Sequence, residues 1–327
     1  MKTHCIRITA FGGPEVLKFG EVDVPAPGVG EVLVRHTGIG VNFVDVYHRT
    51  GQLHGDAPHP PFIPGVQANG VVEAVGQDVH NLQPGDRVTH ANVGLGSYVG
   101  HRVLPAERLI RIPDALDDDL VAASYLRGLT CHYLLKRLYP VQPGDTILVH
   151  AAAGGVGQLL VQWAKRLGAV VIGTVGSDAK ADLVSQLGCD HPINYQRQNF
   201  VEEVMRITNR EGVPVVYDSV GADTFMGSLE CLRPMGLAVN YGTASGQVPA
   251  FPLQRLHNKS LSVCRPTLRT YIARRADLET ASREFFDLIV QHDLHIEIAG
   301  KLPLAKAADA HALLEGRTLT GALLLQP

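Results

Sequence analysis

The sequence predicts an α/β protein with two domains, of which one is rich in short strands and the other is a doubly wound parallel sheet. The first observation is a series of short β-branched segments, separated by proline and glycine turns, over residues 1–113. The second is a regular alternation of apolar strands and amphipathic helices over residues 146–241. The third is the length of 327 residues, which corresponds to about two domains of roughly 150 residues each.

The β-rich part begins at the N-terminus. Its clearest strand patterns are the β-branched runs at residues 31–36, 70–75 and 86–89. Segments with turn chemistry separate them, at residues 25–28, 58–64 and 84–86. Short strands with frequent turns are typical of a barrel or a sandwich, so one of these is expected here.

A predicted helix marks the boundary between the two domains. Three acids at residues 117–119 suit the positive end of a helix dipole, and apolar residues follow at helical spacing from Leu120 to Leu134. The later alternation of strands and helices stops near Pro266. The tail beyond it, two helices and a strand, is too small to form a domain and is expected to join the first one. The predicted domains are residues 1–124 with 267–327, and residues 125–266.

The second domain alternates strand and helix throughout. Strands are predicted at residues 146–150, 169–175, 191–194, 213–218 and 235–241. Helices are predicted at residues 156–167, 179–187, 200–208 and 223–232. Short apolar strands between amphipathic helices indicate a parallel sheet that is covered on both faces.

The turn after the first of these strands matches a dinucleotide-binding fingerprint. Residues 146–150 lead through Ala151–Gly157 directly into a helix, which is the context that the fingerprint requires. Small residues permit the tight turn and let the backbone approach a pyrophosphate, and the helix N-terminus supplies N–H groups to it. The predicted cofactor-binding residues of this turn are Ala152, Gly154, Gly155, Val156 and Gly157.

The end of the next strand favours NADPH over NADH. An NAD site normally carries an acid there for the ribose hydroxyls. This chain has Val175, Gly176 or Ser177 at that position, with Lys180 close behind, and a hydroxyl with a cation suits a 2′-phosphate. Asp178 leaves two interpretations open, as the ribose acid or as the N-cap of the following helix.

Composition argues against several other classes of protein. The net charge is −3 and the basic residues are scattered, which is not typical of a nucleic-acid or anionic membrane surface. The five cysteines contain no C-x-x-C pair, so neither a disulfide framework nor a zinc knuckle is indicated. The N-terminus has no long apolar segment, and a cytoplasmic protein that acts on a small molecule is expected.

Several motifs resemble those of one known family. They are Gly12–Leu17, Gly38–Asp45, Arg127–Thr130, His150–Gly157, Val216–Gly221 and Arg265-Pro266. With them, the whole chain resembles the zinc-free quinone oxidoreductases of the medium-chain dehydrogenase/reductase superfamily, the group that includes zeta-crystallin. The resemblance implies a GroES-like β-barrel catalytic domain built from both chain ends, a Rossmann domain between them, and an active site in the cleft between the domains.

The resemblance also implies functional residues. Those expected at the nicotinamide pocket are Asn42, Tyr47 and Thr130, of which Asn42 and Tyr47 are the catalytic candidates. Those expected at the adenosine phosphate end are Lys180 and Tyr195, beside Ser177. Those expected elsewhere around the cofactor are Gly242, Ser245, Arg265 and Arg317. Without the resemblance, ordinary structural roles would be assigned to Tyr47, Tyr195, Thr130 and Arg317.

The ligands of the zinc-dependent relatives are replaced in this chain. Asn42, Val66 and Gln67 stand where those enzymes have a cysteine and a His-Glu pair, and they supply neither a thiolate nor an imidazole. No metal is therefore expected. Gln67 also departs from the zinc-free relatives, which usually carry a glutamate there, so a role for that acid is not expected in this chain.

These observations lead to one main hypothesis and two alternatives. The main hypothesis is two-electron reduction of quinones by hydride transfer from NADPH, with Tyr47 and Asn42 bonded to the substrate carbonyl. The first alternative is NADPH-dependent reduction of α,β-unsaturated ketones or aldehydes. The second is a non-enzymatic NADPH sensor or structural protein. A homodimer is expected through an edge strand at residues 261–264.

Overall fold

The computed structural model of the protein describes residues 1–52, 58–292, 294–316 and 319–327. Its strands are β1 (Lys2–Ile8), β2 (Leu17–Asp23), β3 (Glu31–Val41), β4 (Gln67–Val75), β5 (Arg87–Ala91), β6 (His101–Pro105), β7 (Ile110–Arg111), β8 (Thr146–Val149), β9 (Val170–Val175), β10 (His191–Asn194), β11 (Val213–Asp218), β12 (Leu232–Asn240), β13 (Ser262–Cys264), β14 (Ile298–Pro303) and β15 (Ala322–Gln326).

Its helices are α1 (Phe43–Thr50), α2 (Asp118–His132), α3 (Gly155–Arg166), α4 (Asp178–Gln186), α5 (Phe200–Ile207), α6 (Phe225–Cys231), α7 (Leu268–Tyr271), α8 (Arg275–His292) and α9 (Ala307–Glu315). A π-helical turn, Tyr133–Leu138, continues α2. The chain divides into two compact units. Unit 1 comprises Met1–Leu126 and Arg274–Pro327, and unit 2 comprises Arg127–Ala273.

Unit 1 is built around a mostly antiparallel sheet with the strand order β14-β15-β3-β4-β5-β7, in which β6 also pairs with β3. The long strand β3 holds this sheet together, because it pairs with β15, β4 and β6 along its length. One core lies between Ile39 and Val41 of β3 and Leu323 and Leu325 of β15, all of which are buried. Both ends of the chain therefore contribute to one core.

Unit 2 is a parallel sheet with the strand order β10-β9-β8-β11-β12-β13. Every residue of β11 is buried, as expected for a strand with helices on both faces. The strand order reverses between β8 and β11, and the carboxyl ends at such a switch point form the usual ligand crevice of this fold. The predicted fold class is confirmed.

Candidate functional site

The glycine-rich turn of unit 2 is closely packed around Gly157. Ala151 has a left-handed backbone, with φ of 51°, and the Ala152 N–H donates to the Thr174 carbonyl at 3.0 Å. A Cβ built on Gly157 would lie 2.3 Å from the Ala151 oxygen, so only glycine fits. Gly154 is the N-cap of α3, and the N–H groups of the first turn of α3 lie at the carboxyl end of β8, where an anion can bind.

Ser177, and not Asp178, caps the next helix. The Ser177 backbone is extended, and its hydroxyl oxygen accepts a hydrogen bond from the Lys180 N–H at 3.3 Å. Asp178 is the first residue of α4. It accepts a hydrogen bond from Asn194 Nδ2 at 2.6 Å and forms an ion pair with Arg197 at 2.7 Å. The interpretation of Asp178 as an N-cap is therefore wrong, and its carboxylate already has two protein partners.

Tyr195 lies beside the same strand end. Its N–H donates to the Val175 carbonyl at 3.1 Å, and its side chain is 48% exposed. A Cβ built on Gly176 would lie 2.7 Å from the Tyr195 hydroxyl oxygen, so the phenol packs over this glycine. Ser177, Lys180 and Tyr195 thus lie at the carboxyl ends of the neighbouring strands β9 and β10.

The loops after β11 and β12 are fastened to each other by polar contacts. The Ser245 hydroxyl donates to the Val220 carbonyl at 2.9 Å and accepts from the Asp223 N–H at 3.1 Å. A Cβ built on Gly242 would lie 2.6 Å from the Ser219 oxygen. Gly242 and Ser245 therefore have structural contacts at the carboxyl edge of the sheet, where the sequence predicts the cofactor.

The structure describes two of the three remaining predicted cofactor residues. Arg265 is exposed and donates through Nη1 to the Asn240 carbonyl at 3.0 Å. Thr130 lies in α2 and is partly exposed. Arg317 lies outside the described residues.

Asn42 begins helix α1 of unit 1 and is 7% exposed. Its amide nitrogen donates to the Gly40 carbonyl at 3.0 Å and to Gln67 Oε1 at 3.1 Å. Both amide hydrogens are therefore engaged. The carbonyl oxygen remains as the polar atom of this side chain that can contact a ligand, and a carbonyl oxygen can only accept hydrogen bonds.

Gln67 fixes this orientation of Asn42. Gln67 is 1% exposed, and its Nε2 donates to the Ala122 carbonyl at 2.8 Å and to the Val121 carbonyl at 3.4 Å. Because both of these partners are acceptors, the amide nitrogen must point at them and Oε1 must point at Asn42. The sequence identified Gln67 as a departure from the family but did not predict this contact.

Tyr47 lies in the same helix and is 8% exposed. Its ring packs edge-on against Phe43, with a distance of 5.4 Å between ring centroids. The structure therefore brings Asn42 and Tyr47 together at one short helix, while their catalytic roles stay predictions.

A buried polar network beside α1 was not found from the sequence. The Tyr98 hydroxyl donates to Asp45 Oδ2 at 3.1 Å and lies 3.0 Å from His311 Nε2. Arg49 lies 3.3 Å from His311 Nδ1 and makes two hydrogen bonds of 2.8 Å to Glu315. The only signal in the sequence was an acid three residues after Asn42, which is typical of a capping box, and the Asn42 N–H does donate to Asp45 at 2.9 Å.

Burial controls the protonation of this network. It raises the pKa of the Asp45 carboxyl to about 7, although hydrogen bonds from the Asn42 N–H and the Tyr98 hydroxyl act in the opposite direction. Burial, followed by the positive charge of Arg49, lowers the pKa of His311 to about 3. His311 is therefore neutral, and its Nδ1 can accept from Arg49 while its Nε2–H donates to Tyr98.

No three His, Cys, Asp or Glu side chains of the described residues come together as a metal site requires. Among the helices that the structure describes, none is both long enough and apolar enough to cross a membrane.

Comparisons with known proteins identify the family. Residues 28–114 match the alcohol dehydrogenase GroES-like domain, and residues 155–287 match the zinc-binding dehydrogenase family. The chain is 45% identical to a quinone oxidoreductase of Pseudomonas aeruginosa, with 98% of this chain and 99% of the relative covered. The chain belongs to the quinone oxidoreductase family. The resemblance to this branch of the medium-chain dehydrogenase/reductase superfamily is confirmed, and the protein is an oxidoreductase.

Two other relatives are similar to this chain over almost its whole length. A 2-haloacrylate reductase of Burkholderia is 44% identical, with 97% of this chain and 96% of the relative covered. The structure of an Escherichia coli quinone oxidoreductase complexed with NADPH matches with a TM-score of 0.96 and 42% identity, and covers 99% of this chain and 100% of that one.

Proposed function

We propose that this protein is an NADPH-dependent reductase of quinones that works without a metal. The observation that carries the choice of cofactor is the arrangement at the end of β9. Asp178, the one acid there that could take the ribose hydroxyls, is held by Asn194 and Arg197. Ser177 and Lys180 lie beside it, and a hydroxyl with a cation suits a 2′-phosphate. The Escherichia coli relative is complexed with NADPH, which supports the same assignment.

The chain's own residues fit this cofactor. The turn at Ala152–Gly157 presents the N–H groups of α3 to a pyrophosphate, and the close approach at Gly157 leaves no side chain in the way. Lys180 and Tyr195 would hold the 2′-phosphate with Ser177. The residues proposed to complete the binding site are Thr130, Gly242, Ser245, Arg265 and Arg317.

Tyr47 and Asn42 have different proposed roles. When bound, NADPH supplies a hydride, so that a quinone gains two electrons and needs one further proton. The Tyr47 hydroxyl would donate a hydrogen bond to the quinone oxygen on which negative charge develops. Asn42 cannot donate to that oxygen as expected from the sequence, because Gly40 and Gln67 engage both of its amide hydrogens. Its carbonyl oxygen would instead accept a hydrogen bond from the carboxamide N–H of the nicotinamide. Solvent would supply the final proton, since the hydroquinone anion formed by hydride transfer can be protonated by water near neutral pH.

The chemistry of residues 42, 66 and 67 supports a mechanism without zinc. The Asn42 and Gln67 amides bond to each other and to backbone carbonyls, and the Val66 side chain is apolar. Neutral amides and an alkyl group are poor zinc ligands.

A second candidate is reduction of an activated carbon–carbon double bond. The 2-haloacrylate reductase at 44% identity favours it, because its substrate has such a bond beside a carboxylate. Hydride delivery to a polarised alkene needs the same bound cofactor, so unit 2 would serve both reactions.

The deciding assay follows the loss of NADPH absorbance at 340 nm in the presence of a chelator. The panel combines NADPH or NADH with a quinone, an enone, 2-chloroacrylate or no acceptor. NADPH-dependent quinone reduction that survives chelation is the expected result. Faster turnover of the enone or of 2-chloroacrylate would favour the second candidate. Tight NADPH binding without reduction of any acceptor would instead support a sensor or structural protein.

Assembly and location belong to the same proposal. The strand β13 lies at an edge of the parallel sheet and could pair with its copy in a homodimer. Light scattering after size-exclusion chromatography tests this, and a monomer at micromolar concentration would contradict it. A cytoplasmic location is proposed as well and is tested by cell fractionation.

A further inference from the structure

A buried cation lies against the N-terminus of α3. Arg127 is 9% exposed, so most of its side chain is removed from bulk water. A Cβ built on Gly155 would lie 2.6 Å from Arg127 Cζ and 2.7 Å from Nη1. The guanidinium therefore packs directly on the first residue of α3, in space that any side chain at position 155 would fill.

This guanidinium has no partner among the residues that the structure describes. Neither a hydrogen bond nor an ion pair joins Arg127 to any of them, and the charged or titratable neighbour that acts on it is the thiol of Cys131. Arginine is rarely buried unless it is paired, and leaving such a charge without a counter-charge is strongly destabilising. Burial accordingly lowers the pKa of Arg127 to about 10.

The N-terminus of α3 adds positive potential beside the Arg127 guanidinium, so the need for a negative charge at this place is greater. The N-terminus of a helix carries about half a positive charge, and α3 extends over 12 residues. A second positive charge beside it is unfavourable unless an anion lies between or next to them. Both features then favour the same ligand, because free N–H groups and a guanidinium fork each bind phosphate oxygens.

We infer that Arg127 binds the pyrophosphate of the dinucleotide, together with the N–H groups at the start of α3. This inference rests on the proposed function for the identity of the ligand. It adds a residue to which neither the fingerprint nor the resemblance assigned a role in phosphate binding. It also explains why position 155 carries a glycine. The glycine makes room for the guanidinium, whereas Gly157 makes room for the turn.

The test compares ligands that carry the pyrophosphate, the 2′-phosphate or both. Calorimetry measures the binding of NADPH, of ADP, which has a pyrophosphate and no 2′-phosphate, and of 2′-AMP, which has only the 2′-phosphate. Arg127→Met should weaken NADPH and ADP at least tenfold, or about 1.4 kcal/mol, and change 2′-AMP less than twofold. Lys180→Gln should weaken NADPH and 2′-AMP and change ADP less than twofold. Arg210→Gln, an exposed arginine before β11, is the matched control and should change none.

Stability without ligand gives a readout that does not depend on turnover. Removing an unpaired buried charge should leave the Tm of the ligand-free Arg127→Met protein equal to or above that of the wild type. The increase in Tm on adding ADP should become smaller. A merely structural guanidinium predicts the reverse, with a lower Tm and an unchanged response to ADP, and that result would overturn the inference.

The two proposals fail in different ways. If the wild type binds ADP but reduces no acceptor with NADPH, the proposed function fails, and the ADP comparison still decides the role of Arg127. If the wild type reduces quinones with NADPH and Arg127→Met binds ADP as tightly as the wild type, the inference about Arg127 fails alone.

Discussion

Replacing Gln67 by glutamate tests the amide network that orients Asn42. Gln67 Nε2 donates to the Ala122 carbonyl at 2.8 Å, and a carboxylate at this place would face two backbone carbonyls without a proton to donate. A protonated carboxyl group could donate to Ala122 and accept from Asn42, much as glutamine does. Gln67→Glu should therefore be tolerated at low pH and destabilising at neutral pH.

The size of the effect follows from the burial of this position. In the unfolded chain the introduced carboxyl would titrate near pH 4.3, and a tenfold change in its acid dissociation constant corresponds to about 1.4 kcal/mol. Keeping this carboxyl neutral in the folded protein at pH 7 would cost about 4 kcal/mol. Because its folded pKa is raised, stability is retained below about pH 4 and lost as the pH rises towards the folded pKa, by about 1.4 kcal/mol for each pH unit.

Urea unfolding followed by circular dichroism, at pH 5 and at pH 7, measures this loss. Relative to the wild type, Gln67→Glu should lose about 3 kcal/mol more at pH 7 than at pH 5. The control is Gln67→Met, which removes the same hydrogen bonds without adding a titratable group and should lose the same amount at both pH values. An equal loss for Gln67→Glu at the two pH values would refute the proposed orientation of the amide.

Three further changes test other parts of the molecule. Gly157→Ala should lower the free energy of unfolding by about 1–3 kcal/mol, measured with urea, and weaken NADPH binding in calorimetry, because its Cβ would lie 2.3 Å from the Ala151 oxygen. Tyr47→Phe should lower kcat for quinone reduction by less than about tenfold, since one hydrogen bond is lost and solvent supplies the proton. Glu315→Gln should lower the free energy of unfolding by about 3 kcal/mol, because it removes the counter-charge of the buried Arg49.

Each of these three predictions has either a control variant or an outcome that would contradict it. A Cβ on Gly20 would meet no atom within 4 Å, so Gly20→Ala should affect neither stability nor binding. Glu203→Gln breaks an ion pair with the exposed Arg206 and should cost less than about 1 kcal/mol. A loss of kcat of about a thousandfold in a folded Tyr47→Phe protein would make Tyr47 an obligate proton donor, contrary to the proposed mechanism.

The parallel sheet and its turn could be predicted because their determinants are local. A tight strand–turn–helix requires small residues at fixed positions, and in the structure a Cβ at Gly157 would collide with the turn. The apolar runs of a sheet with two covered faces are equally visible in one sequence. The strand β10, at His191–Asn194, has the predicted bounds.

Contacts between distant residues could not be predicted in this way. Asp178 could be a cap or a ribose ligand on sequence alone, and only Asn194 and Arg197 show how its carboxylate is used. Likewise, the pattern around Asp45 indicates a helix start but contains no information about His311, which lies near the other end of the chain. Side-chain partners of this kind depend on the tertiary fold, and hydrophobic periodicity does not encode them.

Asn42 is held by two networks that respond differently to pH. Its N–H donates to Asp45, whose pKa burial raises to about 7, whereas its amide bonds to Gln67, which does not titrate. With a glutamate at position 67, two carboxyl groups would flank Asn42, and each would raise the pKa of the other. Glutamine removes that coupling. The Asp45 carboxyl can therefore gain or lose a proton near neutral pH at the start of α1, while the orientation of the Asn42 amide stays fixed.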